Sequence, residues 1–319
     1  MRFGAFVPQG WRMDLVGVAP EEQWPVIMRV AGEIEELGYE SAWVYDHFHN
    51  VPEPTTQEST LEAWSVMAGL AAATKNIRLG QMCTCNSYRN PAYMAKVAAT
   101  VDVMSGGRLE FSIGAGWYEH EYLAYGYPFP SGGTRIAQLN EAVQIIKKMW
   151  IDDEASFSGE HYSIDGAVCR PKPLQRPHPP IWIAGGGEKK TLRVVAEHAD
   201  YSNFGADAET FANKSRILEE HCDTIGRDFS TIGRTAILHT VLGANEAEVD
   251  AKVARVATQM AVDEERVRSG FACGTPAEIV AKLGAVRDLG CVHVQSYFPD
   301  MVWGDAMALF AAEVIPALA

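Results

Sequence analysis

The chain carries little positive charge. Its 319 residues include 27 lysines and arginines against 41 aspartates and glutamates, which gives a formal net charge of −14. An acidic chain is repelled by nucleic-acid backbones and by anionic membrane surfaces, so we expect neither nucleic acid nor a membrane among its partners. An anionic ligand would need a local pocket of positive charge.

Cysteines are few, and neither a long apolar run nor a secretory leader pattern is present. The six cysteines, at positions 83, 85, 169, 222, 273 and 291, are scattered without the spacing of a disulfide framework. No apolar run is long enough to cross a bilayer, and the first residues lack the features of a signal peptide. We therefore expect a cytoplasmic protein with reduced thiols.

The sequence also lacks internal repeats and a linker that would separate two domains. It contains instead an alternation of short apolar strands and amphipathic helices. The predicted strands are Arg2–Pro8, Ser41–Phe48, Ile77–Cys85, a segment from Gly107 to Ile113, Ile181–Ala184, Ala199–Phe204, Arg234–Leu242 and Cys291–Phe298. The predicted helices are Glu21–Leu37, Thr60–Thr74, Pro91–Met104, Thr134–Trp150, Glu188–His198, Ala206–Ile225, Glu246–Val262, Ala277–Leu289 and Trp303–Leu318.

This alternation predicts the fold class. Strands that alternate with helices run parallel, and eight such units predict a closed (β/α)8 barrel, the TIM barrel, formed by residues 1–319 as a single domain. An open doubly wound sheet is the main alternative. A looser segment, Gly116–Gly133, follows the fourth strand, and an irregular insertion, Asp152–Pro180, follows the fourth unit.

The stretch from Gly107 to Tyr122 concentrates side chains suited to chemistry. Apolar residues at 109, 111 and 113 alternate with polar ones, and this strand ends at Gly114 and Gly116. Glycines permit a ligand to approach the backbone closely. Aromatic and acidic residues follow from Trp117 onward. Catalytic groups of a barrel lie at the carboxyl ends of its strands, so we interpret this stretch as part of an active-site rim; an ordinary tight turn is the alternative.

The second predicted strand ends in Asp46-His47-Phe48-His49. His47 and His49 share a face of an extended chain, which is also the pattern of a zinc site in barrel hydrolases. The later strand ends supply no further histidine ligand, so the sequence favours His47 as an acid/base group beside Asp46. A histidine that only packs is the remaining interpretation.

The fifth predicted strand runs into Gly185-Gly186-Gly187. A glycine-rich turn that opens a helix presents free N–H groups and the positive helix end to an anion, and Lys189, Lys190 and Arg193 add local positive charge. We interpret this turn as a phosphate cradle. The pattern is neither a Walker A loop nor the dinucleotide fingerprint, and a simple tight turn is the alternative.

Two further patterns have plainer interpretations. Cys83 and Cys85 have the spacing of a metal-binding pair, but no partner cysteines lie nearby in the sequence, so packing is favoured. The proline-rich stretch Arg170–Pro180 could serve as a polyproline ligand of an SH3-type module, but a rigid lead-in to the next strand is favoured.

With these features combined, the chain resembles the luciferase-like monooxygenase superfamily, and within it the branch of coenzyme F420-dependent oxidoreductases. The matching stretches recur in order over nearly the whole chain. They are Phe3–Pro8, Trp43–Phe48, Arg89–Pro91, Val103–Leu109, Ile113–Trp117 with Glu121, Arg170–Gly187 and Gly274–Glu278. The set of stretches is specific for the superfamily. It distinguishes F420-dependent from FMN-dependent members less well, because both branches share the scaffold.

The resemblance implies a barrel that is usually dimeric, with the cofactor ring across its mouth. The cofactor phosphate would be held at Ala184, Gly185, Gly186 and Gly187, and Asp46 and His47 would lie near the reactive edge of the ring. A non-proline cis peptide would fall within Gln81–Thr84. The candidate cofactor contacts there are Met82, Cys83 and Thr84, together with Gly114, and either Arg89 or Lys189 would steer the acidic tail of F420.

The chain departs from the resemblance at one position. Sugar-phosphate dehydrogenases of the family carry a glutamate, their general acid, directly after the glycines of the fourth strand. Trp117 stands there in this chain, and the acids come later, at Glu119 and Glu121. This difference favours a larger, more apolar substrate that stacks on Trp117, with Trp117 and Glu121 as candidate catalytic residues.

The favoured hypothesis is therefore hydride transfer between F420 and an unidentified, apolar organic substrate by a homodimeric enzyme. An FMN-dependent two-component monooxygenase on the same scaffold is the alternative. A zinc hydrolase built on His47 and His49, and a flavin-binding protein without turnover, are further possibilities.

Overall fold

The computed structural model describes residues 1–318, and its backbone contacts divide the chain into two compact units. Unit 1 consists of Met1–Glu62, Phe204–Asn213 and the residues from Gly233 onward. Unit 2 consists of Ala63–Asn203 and Lys214–Ile232. Each unit therefore combines stretches that are distant in sequence. The prediction of a single domain stays a prediction.

Most elements lie where the apolar periodicity placed them. The strands are β1 (Arg2–Phe6), β2 (Ser41–Val44), β3 (Arg78–Gln81), β4 (Thr84–Cys85), β5 (Leu109–Gly114), β6 (Ala155–Ser158), β7 (Ser163–Ala167), β8 (Ile181–Ala184), β9 (Tyr201–Gly205), β10 (Gly233–Leu242), β11 (Ala272–Gly274) and β12 (Cys291–Tyr297). The α-helices are α1 (Pro20–Glu36), α2 (Ala63–Ala73), α3 (Pro91–Met104), α4 (Glu119–Ala124), α5 (Gly132–Ile151), α6 (Thr191–His198), α7 (Ala208–Ile225), α8 (Glu246–Met260), α9 (Glu264–Gly270), α10 (Pro276–Asp288), α11 (Ala306–Leu309) and α12 (Ile315–Leu318). Short 3-10 turns cover Asn86–Tyr88 and Phe229–Thr231, and a π-helical turn covers Phe310–Val314.

Unit 1 contains a parallel sheet in the order β11-β10-β12-β1-β2. Strand β1 lies between β12 and β2, and its residues from Phe3 to Phe6 are buried, as expected of a parallel strand covered on both faces. Gly4 provides room in this core, because a Cβ there would lie only 2.4 Å from Trp43 Nε1 and from Ser41 Oγ. The indole of Trp43 donates a 2.8 Å hydrogen bond to that hydroxyl.

Unit 2 contains the parallel strands β3, β5 and β8 in that order, with the first residues of β9 beside β8. Strand β5 is buried along its whole length. Before it, Arg108 donates to the carbonyl oxygens of Ala71, Thr74, Ile77 and Ser105, at 2.5–3.0 Å. One guanidinium thus satisfies orphan carbonyls after α2 and after α3 and fixes the start of β5.

The proline-rich segment 170–180 leads into β8 and is tied to helix α3. Its backbone N–H groups at Leu174 and Gln175 donate to Asp102 Oδ2 at 2.6 and 3.2 Å, and Gln175 Nε2 donates to Asp102 Oδ1 at 2.8 Å. Asp102 lies on α3 and is fully buried. One buried carboxylate therefore holds the chain just before it enters β8.

Several boundaries and segments differ from the predictions. The insertion is not wholly irregular, because β6 and β7 form an antiparallel hairpin. The looser segment contains the short helix α4. The predicted third strand is divided into β3 and β4 by a cis peptide bond between Met82 and Cys83, which confirms the cis peptide that the family resemblance implied within Gln81–Thr84.

The start of α6 was also wrong. The helix begins at Thr191 rather than Glu188, because residues 188–190 form a turn before it. Among residues 1–318, no helix is both long and apolar enough to span a membrane.

Candidate functional site

His47 lies at the carboxyl end of β2 with its ring fixed from one side. The indole of Trp11, in the loop after β1, stacks on the imidazole with ring centroids 4.1 Å apart and planes 4° from parallel. His47 is half-buried, whereas its neighbour Asp46 is 2% exposed. A half-buried imidazole in a defined plane next to a buried carboxylate is suited to proton transfer at a bound molecule.

Tyr45 and His239 form a second polar pair at the carboxyl ends of the unit 1 strands. Tyr45 OH and His239 Nε2 are 3.2 Å apart, and Tyr45 stacks on Phe6 with centroids 4.1 Å apart. Burial raises the pKa of the Tyr45 phenol, and burial together with the charge of Arg12 holds the pKa of His239 well below its usual range. Both groups are therefore neutral near pH 7.

Arg12 is surrounded by aromatic rings of unit 1. The distances from its Cζ atom to the ring centroids are 4.9 Å for Trp11, 5.6 Å for Tyr297, 5.9 Å for Tyr45 and 6.0 Å for Phe271. Distances of this size are within the range of a cation–π interaction. The aromatic cluster thus places a permanent positive charge beside the stacked Trp11–His47 pair.

In unit 2, the predicted cofactor contacts at the third and fourth predicted strands are adjacent to one another. Met82 is 7% exposed, Thr84 is 1% exposed, and Cys83 is half-buried. A Cβ added to Gly114 would lie 2.6 Å from Cys83 Sγ. Gly114 is buried, and Cys83 can pack this closely against the end of β5 only because residue 114 has no side chain.

The two candidates that follow β5 are in different environments. Trp117 is 61% exposed and stacks on Tyr118 with ring centroids 5.1 Å apart. Glu121 is fully buried and accepts a 2.8 Å hydrogen bond from Tyr88 OH. Trp117 is therefore available to a ligand, whereas Glu121 stabilises the packing of Tyr88. A catalytic role for either stays a prediction.

The glycine turn after β8 has an exposed backbone. Gly185 has φ +118°, a value that favours glycine, and both Gly185 and Gly187 are exposed, whereas Ala184 and Gly186 are half-buried. Leu192 N donates to Gly187 O at 3.0 Å, so the chain already begins to coil at the end of the turn. Residues 188–190 separate this glycine turn from the first helical residue of α6. A role of the turn in phosphate binding stays a prediction.

Positive charge lies next to this turn. Lys189, Lys190 and Arg193 line a cavity of about 410 Å³ between α5 and α6. Arg193 also pairs with Glu197 at 2.9 Å. Arg89, the alternative candidate for steering an acidic tail, is half-buried between the 3-10 turn 86–88 and α3.

The spacing of the cysteine pair and of the histidine pair raised the question of a metal site. Cys85 is buried with its Sγ 3.1 Å from Tyr122 OH. Within residues 1–318, no group of three or more His, Cys, Asp or Glu side chains is placed to hold a metal ion.

Several residues of the site were not predicted from the sequence. Trp11, Arg12, His239 and Tyr297 carry the aromatic and charged environment of His47, yet none was singled out. Trp11 and Arg12 follow β1 closely, and the rule that functional groups lie beyond the carboxyl ends of barrel strands could have identified them.

Known proteins resemble this chain over most of its length. An F420-dependent glucose-6-phosphate dehydrogenase from Kineococcus radiotolerans is 27% identical, and the match covers 90% of this chain and 91% of that protein. Pyrimidine monooxygenase RutA from Acinetobacter baylyi is 29% identical, over 79% of this chain and 69% of that protein.

A solved structure establishes the fold. The F420-dependent secondary alcohol dehydrogenase crystallised with an F420-acetone adduct matches with a TM-score of 0.81 at 23% identity, over 100% of this chain and 99% of that one. The fold is thus the closed, eight-stranded (β/α)8 barrel, as the sequence predicted. The family model of luciferase-like monooxygenases matches residues 1–261. The chain belongs to the luciferase-like monooxygenase family.

Proposed function

We propose that this chain is an oxidoreductase that transfers a hydride between coenzyme F420 and a small organic substrate with a large apolar part. The observation that carries the proposal is His47, which lies half-buried at a strand end with its ring stacked on Trp11 and with Asp46 beside it in the chain. The names of the relatives and of the structural neighbour support F420 as the cofactor.

His47 has the central role in the proposed chemistry. Hydride transfer to or from a carbon bound to oxygen or nitrogen is accompanied by a proton, and an imidazole can hold that proton near neutral pH. Trp11 fixes the plane of the ring, and Asp46 orients it. When bound, the deazaflavin ring of F420 supplies the carbon that carries the hydride.

The residues of unit 2 fit the cofactor. The exposed backbone of Gly185–Gly187 can donate N–H groups to a phosphate, and Lys189 adds positive charge beside it. The absence of a side chain at Gly114 lets the half-buried Cys83 pack against the end of β5, and we propose that Met82, Cys83 and Gly114 contact the flat ring there. We propose Ala184 and Thr84 as flanking contacts at these two places.

The proposed substrate differs from glucose 6-phosphate, the sugar phosphate after which the similar dehydrogenases are named. Trp117 offers an exposed indole directly after the glycines of β5. The family resemblance implies a glutamate at this position in sugar-phosphate dehydrogenases. A broad aromatic surface binds apolar molecules better than it binds a hydroxylated sugar. Glu121 is proposed to support this wall through its bond to Tyr88 rather than to donate a proton.

An FMN-dependent two-component monooxygenase is the second candidate. It is favoured by the resemblance to RutA and by monooxygenases among the structural neighbours, such as the EDTA monooxygenase from Chelativorans with a TM-score of 0.83 at 14% identity. The glycine turn would serve the phosphate of FMN equally well.

A titration of the purified protein with F420 and, separately, with FMN distinguishes the two candidates. Binding is followed by the fluorescence of each cofactor. We expect tight binding of F420 and weak binding of FMN. The reverse preference would replace the proposal with the monooxygenase. Binding of neither would overturn both, and metal analysis of the same sample would then test the zinc hydrolase.

The role of His47 is tested by His47→Ala with His49→Ala as the matched control. We expect turnover of His47→Ala to fall by about 10²–10⁴-fold, the usual contribution of a general acid/base, with F420 affinity little changed. Unchanged turnover would remove His47 from the mechanism. We also expect a homodimer, which light scattering on the purified protein will test.

A further inference from the structure

Two buried hydrogen-bond donors near His47 have no acceptor. Trp11 is 5% exposed, and its Nε1 atom donates to nothing within residues 1–318; the same is true of Arg12 Nε. An unsatisfied buried donor costs about 1–3 kcal/mol, and more when it is charged. Two such donors on consecutive residues indicate that an acceptor belongs here.

No carboxylate of the described chain supplies that acceptor. Asp14 is the acid nearest in sequence, but its Oδ1 accepts from the backbone N–H groups of Gln9 at 2.8 Å and Gly10 at 2.6 Å. Its Oδ2 accepts from Tyr297 OH at 3.1 Å. The hydrogen bonds of Asp14 are thus committed to the loop after β1 and to Tyr297. Its charge still acts on Arg12, and Arg12 also hydrogen-bonds Tyr45, but neither contact supplies an acceptor to Arg12 Nε.

The surroundings of Arg12 also indicate the chemical character of the ligand that would carry the acceptor. Rings of Trp11, Tyr45, Phe271 and Tyr297 surround the guanidinium. His239, which is half-buried and hydrogen-bonded to Tyr45, is held neutral by its surroundings and so adds no competing charge. A ligand that fits must therefore combine a planar anion with an apolar body.

We propose that Trp11 and Arg12 bind a carboxylate of the substrate. Arg12 would donate to the carboxylate oxygens, the indole N–H of Trp11 would supply a further donor, and the aromatic rings would hold the apolar part. Because Trp11 also stacks on His47, the anchored carboxylate fixes the substrate relative to the acid/base group. This inference rests on the proposed function and narrows its substrate to apolar organic acids.

The test compares acids with their uncharged amides of nearly the same shape. Phenylacetate and hexanoate are titrated into the purified protein beside phenylacetamide and hexanamide, with and without F420, by isothermal calorimetry. We expect each acid to bind at least tenfold more tightly than its amide. Equal affinities, or no binding of either acid at millimolar concentration, would overturn the inference.

Variants locate the preference. Arg12→Gln should abolish the difference between acid and amide, and Arg12→Lys should retain part of it, because lysine keeps the charge but loses the two-pronged geometry. Arg255→Gln is the matched control, since Arg255 packs over Trp303 at 3.7 Å elsewhere in unit 1. A preference that persists in Arg12→Gln would overturn the inference. If that variant does not fold, the comparison of acid with amide in the unaltered protein decides alone.

This outcome is separable from that of the proposed function. Failure of F420 to bind, with the preference for acids intact, would overturn only the proposed hydride transfer. Normal F420 binding without a preference for acids would overturn only the carboxylate site.

Discussion

Removal of the Asp102 carboxylate should loosen unit 2 at the entry to β8. The side chain is fully buried on α3 and accepts three hydrogen bonds of 3.2 Å or shorter, from Leu174 N, Gln175 N and Gln175 Nε2. Asp102→Ala would leave all three donors without their acceptor. Asp102→Asn would preserve the shape but would turn one oxygen into a donor that faces other donors.

The expected loss of stability follows from these bonds. Hydrogen bonds to a charged acceptor contribute roughly 1.5–3 kcal/mol each, so three could account for about 4.5–9 kcal/mol. Water can enter the space that alanine leaves, and Gln175 Nε2 keeps its 2.7 Å bond to Leu109 O, so the realised loss is smaller. We expect about 3–5 kcal/mol for Asp102→Ala, in line with the removal of one partner from a buried charged network.

Urea unfolding followed by tryptophan fluorescence measures this change, and limited proteolysis shows where it occurs. Cleavage within residues 170–180 should accelerate in Asp102→Ala. Asp153→Ala is the control, because its carboxylate is 86% exposed and pairs with Arg170 in the same region. A loss below about 1 kcal/mol in Asp102→Ala, or an equal loss in the control, would refute the reasoning.

Two further changes test other contacts of unit 2. Burial, assisted by the charge of Lys147, lowers the pKa of His198 to about 4, so the unfolded chain binds a proton near pH 6.5 and the native chain only near pH 4. The contribution of His198 to the free energy of unfolding is therefore fully present above pH 6.5 and falls, by up to about 3 kcal/mol, as the pH drops to 4. In urea titrations at several pH values, His198→Gln should make this decline shallower. An unchanged slope would contradict the assignment. Gly114→Ala would place a Cβ 2.6 Å from Cys83 Sγ and should cost about 1–3 kcal/mol in thermal unfolding. Cys83→Ala in the same chain should restore part of this, and a double variant no more stable than the single one would show that the contact is not the cause.

The fold was predictable where local signals agreed with burial. Helix α3 runs from Pro91 to Met104 as predicted, since proline occupies its first position and Asn90 Oδ1 accepts from Ala92 N and Tyr93 N. The hairpin of β6 and β7 was missed because serine, aspartate and glycine interrupt any regular alternation in its half-exposed strands.

The site was only partly predictable. Strand ends are visible in the sequence, and they identified His47 and Gly114. The partners of Arg12 are not visible in this way, because Phe271 and Tyr297 approach it only through the tertiary fold. Glu121 was grouped with Trp117 by proximity in sequence, but the helix that begins at Glu119 turns the glutamate into the core.

Arg108 is a residue of the family pattern whose contacts serve the fold. It belongs to the stretch Val103–Leu109 that resembles other members of the family, and its four carbonyl contacts secure the amino end of β5. Gly114, beside Cys83, is at the opposite end of the same strand. The guanidinium thus holds the end of β5 that is opposite to the proposed cofactor contact at Gly114. Substitutions meant to change cofactor preference can therefore be made at the carboxyl end of β5 while Arg108 is kept. A sequence match that rests on the stretch around Arg108 indicates a shared fold and does not indicate a shared cofactor.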